Sequence, residues 1–373
     1  MKSQFRSLCA IALTTMAAAT AAQAQEITVA ALSSLTGPTA FIGVPVHNGI
    51  KLAIEQANQS GFLGNSKVKL LEADYAGDKA QAINLANQFI KRDKVVLVFG
   101  PTGTGDSLAA GPVFNEGKTP YFALGTSDRI LESGPYAFKS VAAAQAQLPL
   151  LGKYVIDKTT VRRIAIIYDR SNDGMVEHKD LFRETYKAGG GVVTTEEGVA
   201  SNETNFLPLV TKIMSQNVQG VFFAIYAEQA ANVMVQLRQA GLPATVRFFG
   251  NTSLPTPKLI DIAGKAAEGA IGVADYTAGQ ERNKAFEAAY KARFGAEVDS
   301  WAAVGYSKGL IALRALKDAG PNPTPEKVRE AFTKVRDVPV PMGSGVWTQG
   351  SDRKPSYGAV LLQVKDGKFA IAP

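Results

Sequence analysis

Cysteine is almost absent: the 373-residue sequence holds one, Cys9, and it lies in a segment that reads as a removable leader. The rest of the chain then has no thiol, which excludes disulfides, thiolate metal sites and cysteine nucleophiles together. The flank Arg6-Ser7-Leu8 lacks the small residues expected before a lipid-modified cysteine, so a lipoprotein is not expected. Histidine is scarce too. His47 and His178 lie far apart, neither has a second ligand at metal-like spacing, and each reads as a helix-surface residue. No metal site and no cofactor is expected. Long hydrophobic runs are also wanting. Leu8 to Ala19 is apolar apart from Thr14 and Thr15, well short of the ~20 residues of a membrane crossing. Lys2 and Arg6 precede it and the small-x-small triplet Ala22-Gln23-Ala24 follows, so residues 1–24 read as a secretory signal peptide cut after Ala24. Losing Lys2 and Arg6 lowers the net charge from +7 to +5, without a Lys/Arg stripe, and a nucleic-acid partner is not expected.

What remains is a globular composition, 46% hydrophobic and 20% charged, with enough chain for two domains. Short apolar runs alternate with helical periods, the pattern of βαβ units and mostly parallel sheets. Ile27–Leu32, Val68–Asp74, Val95–Phe99 and Pro120–Ala123 read as strands; Val46, Ile50, Ala53, Ile54 and Ala57 fall on one helical face. The order then recurs, with strands at Arg163–Tyr168, from Val192, at Gly220–Ala224 and at Val246–Phe249. A repeat of this length indicates two similar lobes rather than a solenoid. Gly269–Tyr276 reads as a strand with no counterpart in the first half. Lys284–Phe294 and Trp301–Leu316 read as helices, and the tail as a hairpin around Asp366-Gly367. A chain that leaves one lobe, builds another and has material left over crosses between them more than once, and such crossings make a hinge.

In open parallel sheets, ligands bind beyond the carboxyl ends of the strands. That rule selects Ser33–Gly43, Gly100–Asp106 and Gly125–Asp128 in the first lobe, and Asp169–Gly174, Tyr226–Gln229 and Gly250–Ser253 in the second. Gly100 and Gly105 have the glycine frame of a phosphate loop, but Asp106 stands where its lysine would be, which argues against a nucleotide. Either Gly103, Thr104 and the neighbouring amides hold an anion, or they form only a tight strand-to-helix turn. Asp169 and Asp173 read as a carboxylate pair or as ordinary helix caps. Phe41, with Ile42 beside it, and Tyr226 read as ligand-stacking groups or as lobe-edge packing. Ser127 has no nucleophile elbow around it and neither histidine falls in these loops, so no catalytic set emerges and an enzyme is not expected.

Ile27 to Pro38, Asn48 to Asn58, Ala80 to Phe89, Val98-Phe-Gly-Pro101, Arg163 to Asp169 and Gln239-Ala-Gly-Leu242 together resemble the leucine/isoleucine/valine-binding family of periplasmic solute receptors, over essentially the whole mature chain. The resemblance implies an α/β fold of two Rossmann-like lobes joined by a three-crossover hinge, the type I periplasmic binding protein fold. Lobe one would be 25–141 and 276–352, and lobe two 142–275 and 353–373. It implies a monomer that binds a small carboxylate-bearing solute in the periplasm and delivers it to an inner-membrane ABC permease. A ligand-sensing co-receptor and a secreted α/β enzyme are the rival readings.

Family residues carry over where positions match. Thr104 matches the hydroxyl residue that holds the ligand carboxylate, Gly125 and Ser127 the loop after the fourth strand, and Tyr226 the tyrosine after the third strand of lobe two. Two positions depart. The acid that pairs with a ligand ammonium falls on Thr252, flanked by Asn251 and Ser253, and the lobe-two tyrosine of the first loop falls on Asp173. An ammonium buried without a carboxylate is costly. Either Asp173 or Glu228 substitutes, or the solute lacks an amine, as an aromatic acid stacked on Phe41, Tyr226 or Tyr276 would.

Overall fold

The structure, a computed structural model, describes residues 25–373; the expected signal segment, its expected cut after Ala24 and Cys9 lie outside the described residues. Lobe one is built on a five-stranded parallel sheet of Glu26–Ser33, Lys67–Asp74, Val98–Phe99, Tyr121–Ala123 and Ala137–Lys139, with the second strand at one edge beside the first. Helices cover both of its faces, so Val29, Ala30, Ala31 and Leu32 are all completely buried, with no polar alternation to mark a solvent side. Lobe two is built on a seven-stranded sheet. Arg163–Asp169, Val192–Val199, Gly220–Ala224, Arg247–Gly250 and Ile271–Ala274 run parallel, and the hairpin Val360–Lys365/Lys368–Ile371 adds two antiparallel strands. The strand expected at Gly269–Tyr276 is the shorter Ile271–Ala274. It joins the second sheet, parallel to Arg247–Gly250 and antiparallel to Val360–Lys365.

The helix Ala40–Ser60 buries Ile42, Val46, Ile50, Ala53, Ile54 and Ala57, the expected stripe extended by one turn. It crosses the helix Ser300–Asp318 so closely that a Cβ at Gly305 would lie 2.1 Å from the Val46 carbonyl oxygen, which leaves glycine as the residue that fits. His47 is not on the helix surface as expected. It is buried, with Nε2 2.6 Å from Glu72 Oε2 and Nδ1 3.2 Å from Ser33 Oγ, and so ties the helix to two strands. Several pieces have no counterpart in the sequence reading, among them a 3-10 turn Asp128–Ser133, the strand Ala137–Lys139, the helix Pro257–Ala263, and the helix Ala144–Lys158, whose Pro149 and alanines and glutamines blur its period.

The chain passes between the sheets at 140–143, 275–280 and 357–359. Pro355–Ser356 still pairs with Thr348–Gln349 of a small lobe-one sheet, so the last crossing follows Ser356. One phenol ties the three crossings together. Tyr357 OH accepts from the Ala142 amide at 2.9 Å and donates to Asp275 Oδ1 at 2.8 Å.

Candidate binding cleft

The carboxyl ends of both sheets face one gap, and a cavity lies there. Ile42, Gly103, Thr104, Leu124, Gly125, Val141 and Trp301 line it from lobe one, and Met175, His178, Tyr226 and Thr252 from lobe two. An adjoining cavity shares Ile42, Thr104 and Tyr226, and Asp173 and Lys79 border it.

Thr104 opens the helix Thr104–Glu116 directly after the buried strand Val98–Phe99. The N-cap, Gly103, has no side chain to satisfy the first amides, so the positive end of the helix is left open toward the cavity. Gly125 follows the next strand. Its loop is fixed from behind by the buried Lys139, whose Nζ donates to the Thr126 carbonyl at 2.8 Å and to Asp128 Oδ1 at 2.7 Å. Ser127 does not line the cavity: its Oγ accepts from the Arg129 amide and caps the turn Asp128–Ser133.

From lobe two, Asn172 caps the helix Asp173–Ala188 by accepting from the amides of Gly174 at 3.0 Å and Met175 at 3.3 Å, and its Nδ2 donates to Tyr226 OH at 3.1 Å. Burial raises the Tyr226 phenol above its ordinary value, so it stays a neutral donor. Phe41 meets Tyr226 edge-on across the gap, centroids 5.2 Å apart. Phe41 therefore braces the site through Tyr226 rather than lining the cavity. Thr252 lines the floor, while Asn251 is buried beneath it with Nδ2 2.8 Å from Met175 Sδ. Tyr276 turns toward lobe one, where its OH donates to Glu287 and its ring packs among Leu52, Phe286 and Tyr290. Glu228 is exposed on the helix Ala227–Gln239 and borders neither cavity.

Three cavity residues that carry polar groups escaped the sequence reading. His178, expected on a helix surface and outside the cleft, is buried in it, with Nε2 2.9 Å from Thr126 Oγ1 across the lobes and Nδ1 without a partner. Burial, and then Lys139 behind it, push its pKa down to about 4, so it is neutral at pH 7. Trp301 presents an indole Nε1 that also has no partner. Asp275, at the end of the strand Ile271–Ala274, is the third. An acid directly after a fully buried strand is the signal that would have found it.

The sequence profile of the periplasmic binding proteins matches residues 26–368. The leucine-, isoleucine-, valine-, threonine- and alanine-binding protein of Pseudomonas aeruginosa is 27% identical over 334 residues, 89% of this chain and 88% of that protein. A leucine-binding protein from Thermotoga maritima superposes with a TM-score of 0.85 at 24% identity, covering 93% of this chain and 98% of that one. A solute-binding protein of an ABC transporter from Rhodopseudomonas palustris, in complex with 3,4-dihydroxybenzoic acid, does so with a TM-score of 0.84 at 24% identity, covering 92% and 95%. The two-lobed fold, the cleft between the lobes and a profile match spanning nearly every described residue agree: this chain belongs to the periplasmic binding protein family.

Proposed function

We propose that the protein captures a small carboxylate-bearing solute in the periplasm, by closure of its two lobes, and delivers it unchanged to an inner-membrane ABC permease. The observation that carries this reading is Thr104, at the uncapped amino end of a helix, inside a cavity whose opposite wall is Tyr226. Thr104 Oγ1, the open amides and Gly125 offer donors to a carboxylate, and Ile42, Leu124, Val141 and Met175 offer an apolar berth for the rest of the molecule. Relatives whose names specify branched-chain amino acids, and a neighbour that holds a dihydroxybenzoate, support both an amino acid and an aromatic acid as solute. The solute docks on lobe one, and contacts from Tyr226, Thr252 and Asn172 hold lobe two closed. A solute shifts that balance only by the affinity it gains from the second set of contacts.

A thermal-shift screen of amino acids and aromatic acids identifies binders. Thr104→Ala is then expected to weaken every carboxylate ligand by about tenfold or more, the effect of losing a hydrogen bond to a charged group. Unchanged affinity by calorimetry removes the anchor. Solution scattering on the wild type is expected to show compaction with saturating ligand.

A further inference from the structure

The lobe-two acid expected from the family pattern is replaced by Thr252, yet the cavity is not without a carboxylate. Asp275 lines it from the second crossing and is 6% exposed. Its side chain is held rigidly. Gln147 Nε2, from the helix Ala144–Lys158, donates to Oδ1 at 2.6 Å, and Tyr357 OH, from the third crossing, donates to the same oxygen at 2.8 Å. Both bonds go to Oδ1, and among the described residues no side-chain donor reaches Oδ2. Two donors on one oxygen suit an ionised carboxylate. Among the described residues no lysine, arginine or histidine lies within ion-pair distance of it. Buried charges are paired in folded proteins, and a cleft acid without a protein partner faces only what enters the cleft.

We infer that Asp275 is the counter-ion for a protonated amine on the solute, so that the guest is an amino acid, its carboxylate at Thr104 and its amine at the hinge. This rests on the carboxylate-binding reading above and narrows it. The acid stands on the crossing that both lobes share, not on the lobe-two loop where the family resemblance implies one. An ammonium bound there pulls on the same aspartate that Tyr357 and Gln147 hold, and so engages the point where all three crossings meet.

The test uses the full mature protein and calorimetry. The common L-amino acids are screened, and the tightest is compared with its des-amino counterpart, for leucine 4-methylpentanoate. The wild type is expected to prefer the amine-bearing acid at least tenfold. Asp275→Asn keeps an Oδ1 acceptor for Tyr357 and Gln147 but removes the charge. It is expected to lose at least tenfold on the amino acid and under twofold on the des-amino acid, whereas a purely structural role would weaken both alike. A pH series on the wild type is independent of any variant. Burial lifts Asp275 to about 6, so affinity for the amino acid is expected to fall about tenfold from pH 7.5 to 5, while the des-amino acid is held nearly constant. The other titratable groups facing it hold their charge in that window. Tyr357 and Tyr226 are raised by burial, and His178 titrates near 4. Equal losses on both ligands, or no loss on either, overturn the inference. A wild type that binds benzoate or des-amino acids but no amino acid overturns it as well and leaves the carboxylate reading standing. Binding of neither class overturns both.

Discussion

Replacing Gly174 with valine is expected to lower solute affinity about a hundredfold while leaving the melting temperature of the ligand-free protein nearly unchanged. Gly174 lies in the first turn of the helix Asp173–Ala188, against the Thr104 anchor. A Cβ there would sit 3.1 Å from Thr104 Oγ1 and 3.5 Å from Thr104 Cβ. Alanine needs the threonine to give by a few tenths of an ångström; the two further methyls of valine have no such room. The nearest neighbour they meet belongs to the other lobe, so under the proposed closure the strain would be relieved chiefly by opening the lobes, although Asn172 Oδ1 of the same lobe, 3.3 Å from that Cβ, also has to give. Lobe-one contacts survive and lobe-two contacts do not. A hundredfold loss corresponds to about 2.7 kcal/mol, the scale of two or three hydrogen bonds and the apolar contact that closure adds. Calorimetry measures the affinity, and scattering is expected to show no compaction with ligand. Wild-type affinity in Gly174→Val would mean that the lobes grip the solute at a wider separation, and closure around Thr104 would have to be abandoned.

The sequence carries the alternation of strand and helix in both halves because each buried strand is a compact apolar run and each helix has a 3.6-residue stripe. Val46, Ile50 and Ala57 point inward as their spacing requires. The loops beyond the strand ends were equally legible, since topology alone puts Thr104, Gly125, Tyr226 and Thr252 around one gap. Side-chain direction was not. Ser127 and Asn251 sit in the expected loops but spend their polar atoms on a turn amide and on Met175, choices made by tertiary neighbours. Tyr276 and Asp275 are adjacent and face opposite lobes, as residues on an extended crossing do. Sequence reading favoured the aromatic of the pair, and the cavity takes the acid. His178 was missed for a related reason. Its helix is amphipathic with a weakly apolar face, and His178, nearly two turns in from the Asn172 cap, faces the other lobe, a surface that exists only once both halves are assembled.

The largest effect on stability is expected at a residue that takes no part in binding. Lys308 lies in the helix Ser300–Asp318, 1% exposed, with Nζ 5.8 Å from the centroid of the Phe122 ring and, among the described residues, no acid within ion-pair distance. Burial pushes its pKa down to about 7, against ~10.4 for a lysine in water. The folded protein therefore holds this amine more weakly than the unfolded chain does, and stability falls as pH drops from about 10 to 7, then stays level below that. At about 1.4 kcal/mol per pH unit, the cost reaches about 4 kcal/mol at pH 7. Lys308→Met keeps the aliphatic stem and removes the amine. It is expected to gain about 2–4 kcal/mol at pH 7 in urea unfolding, with a midpoint shifted upward and an unchanged slope. The gain is expected to shrink to well under half at pH 10, where the folded-state lysine is neutral, the unfolded one is only partly protonated and little is left to relieve. A difference that stays constant between pH 7 and 10 would assign the effect to packing against Phe122. No gain at pH 7 would mean that the ammonium reaches water by a path along the helix.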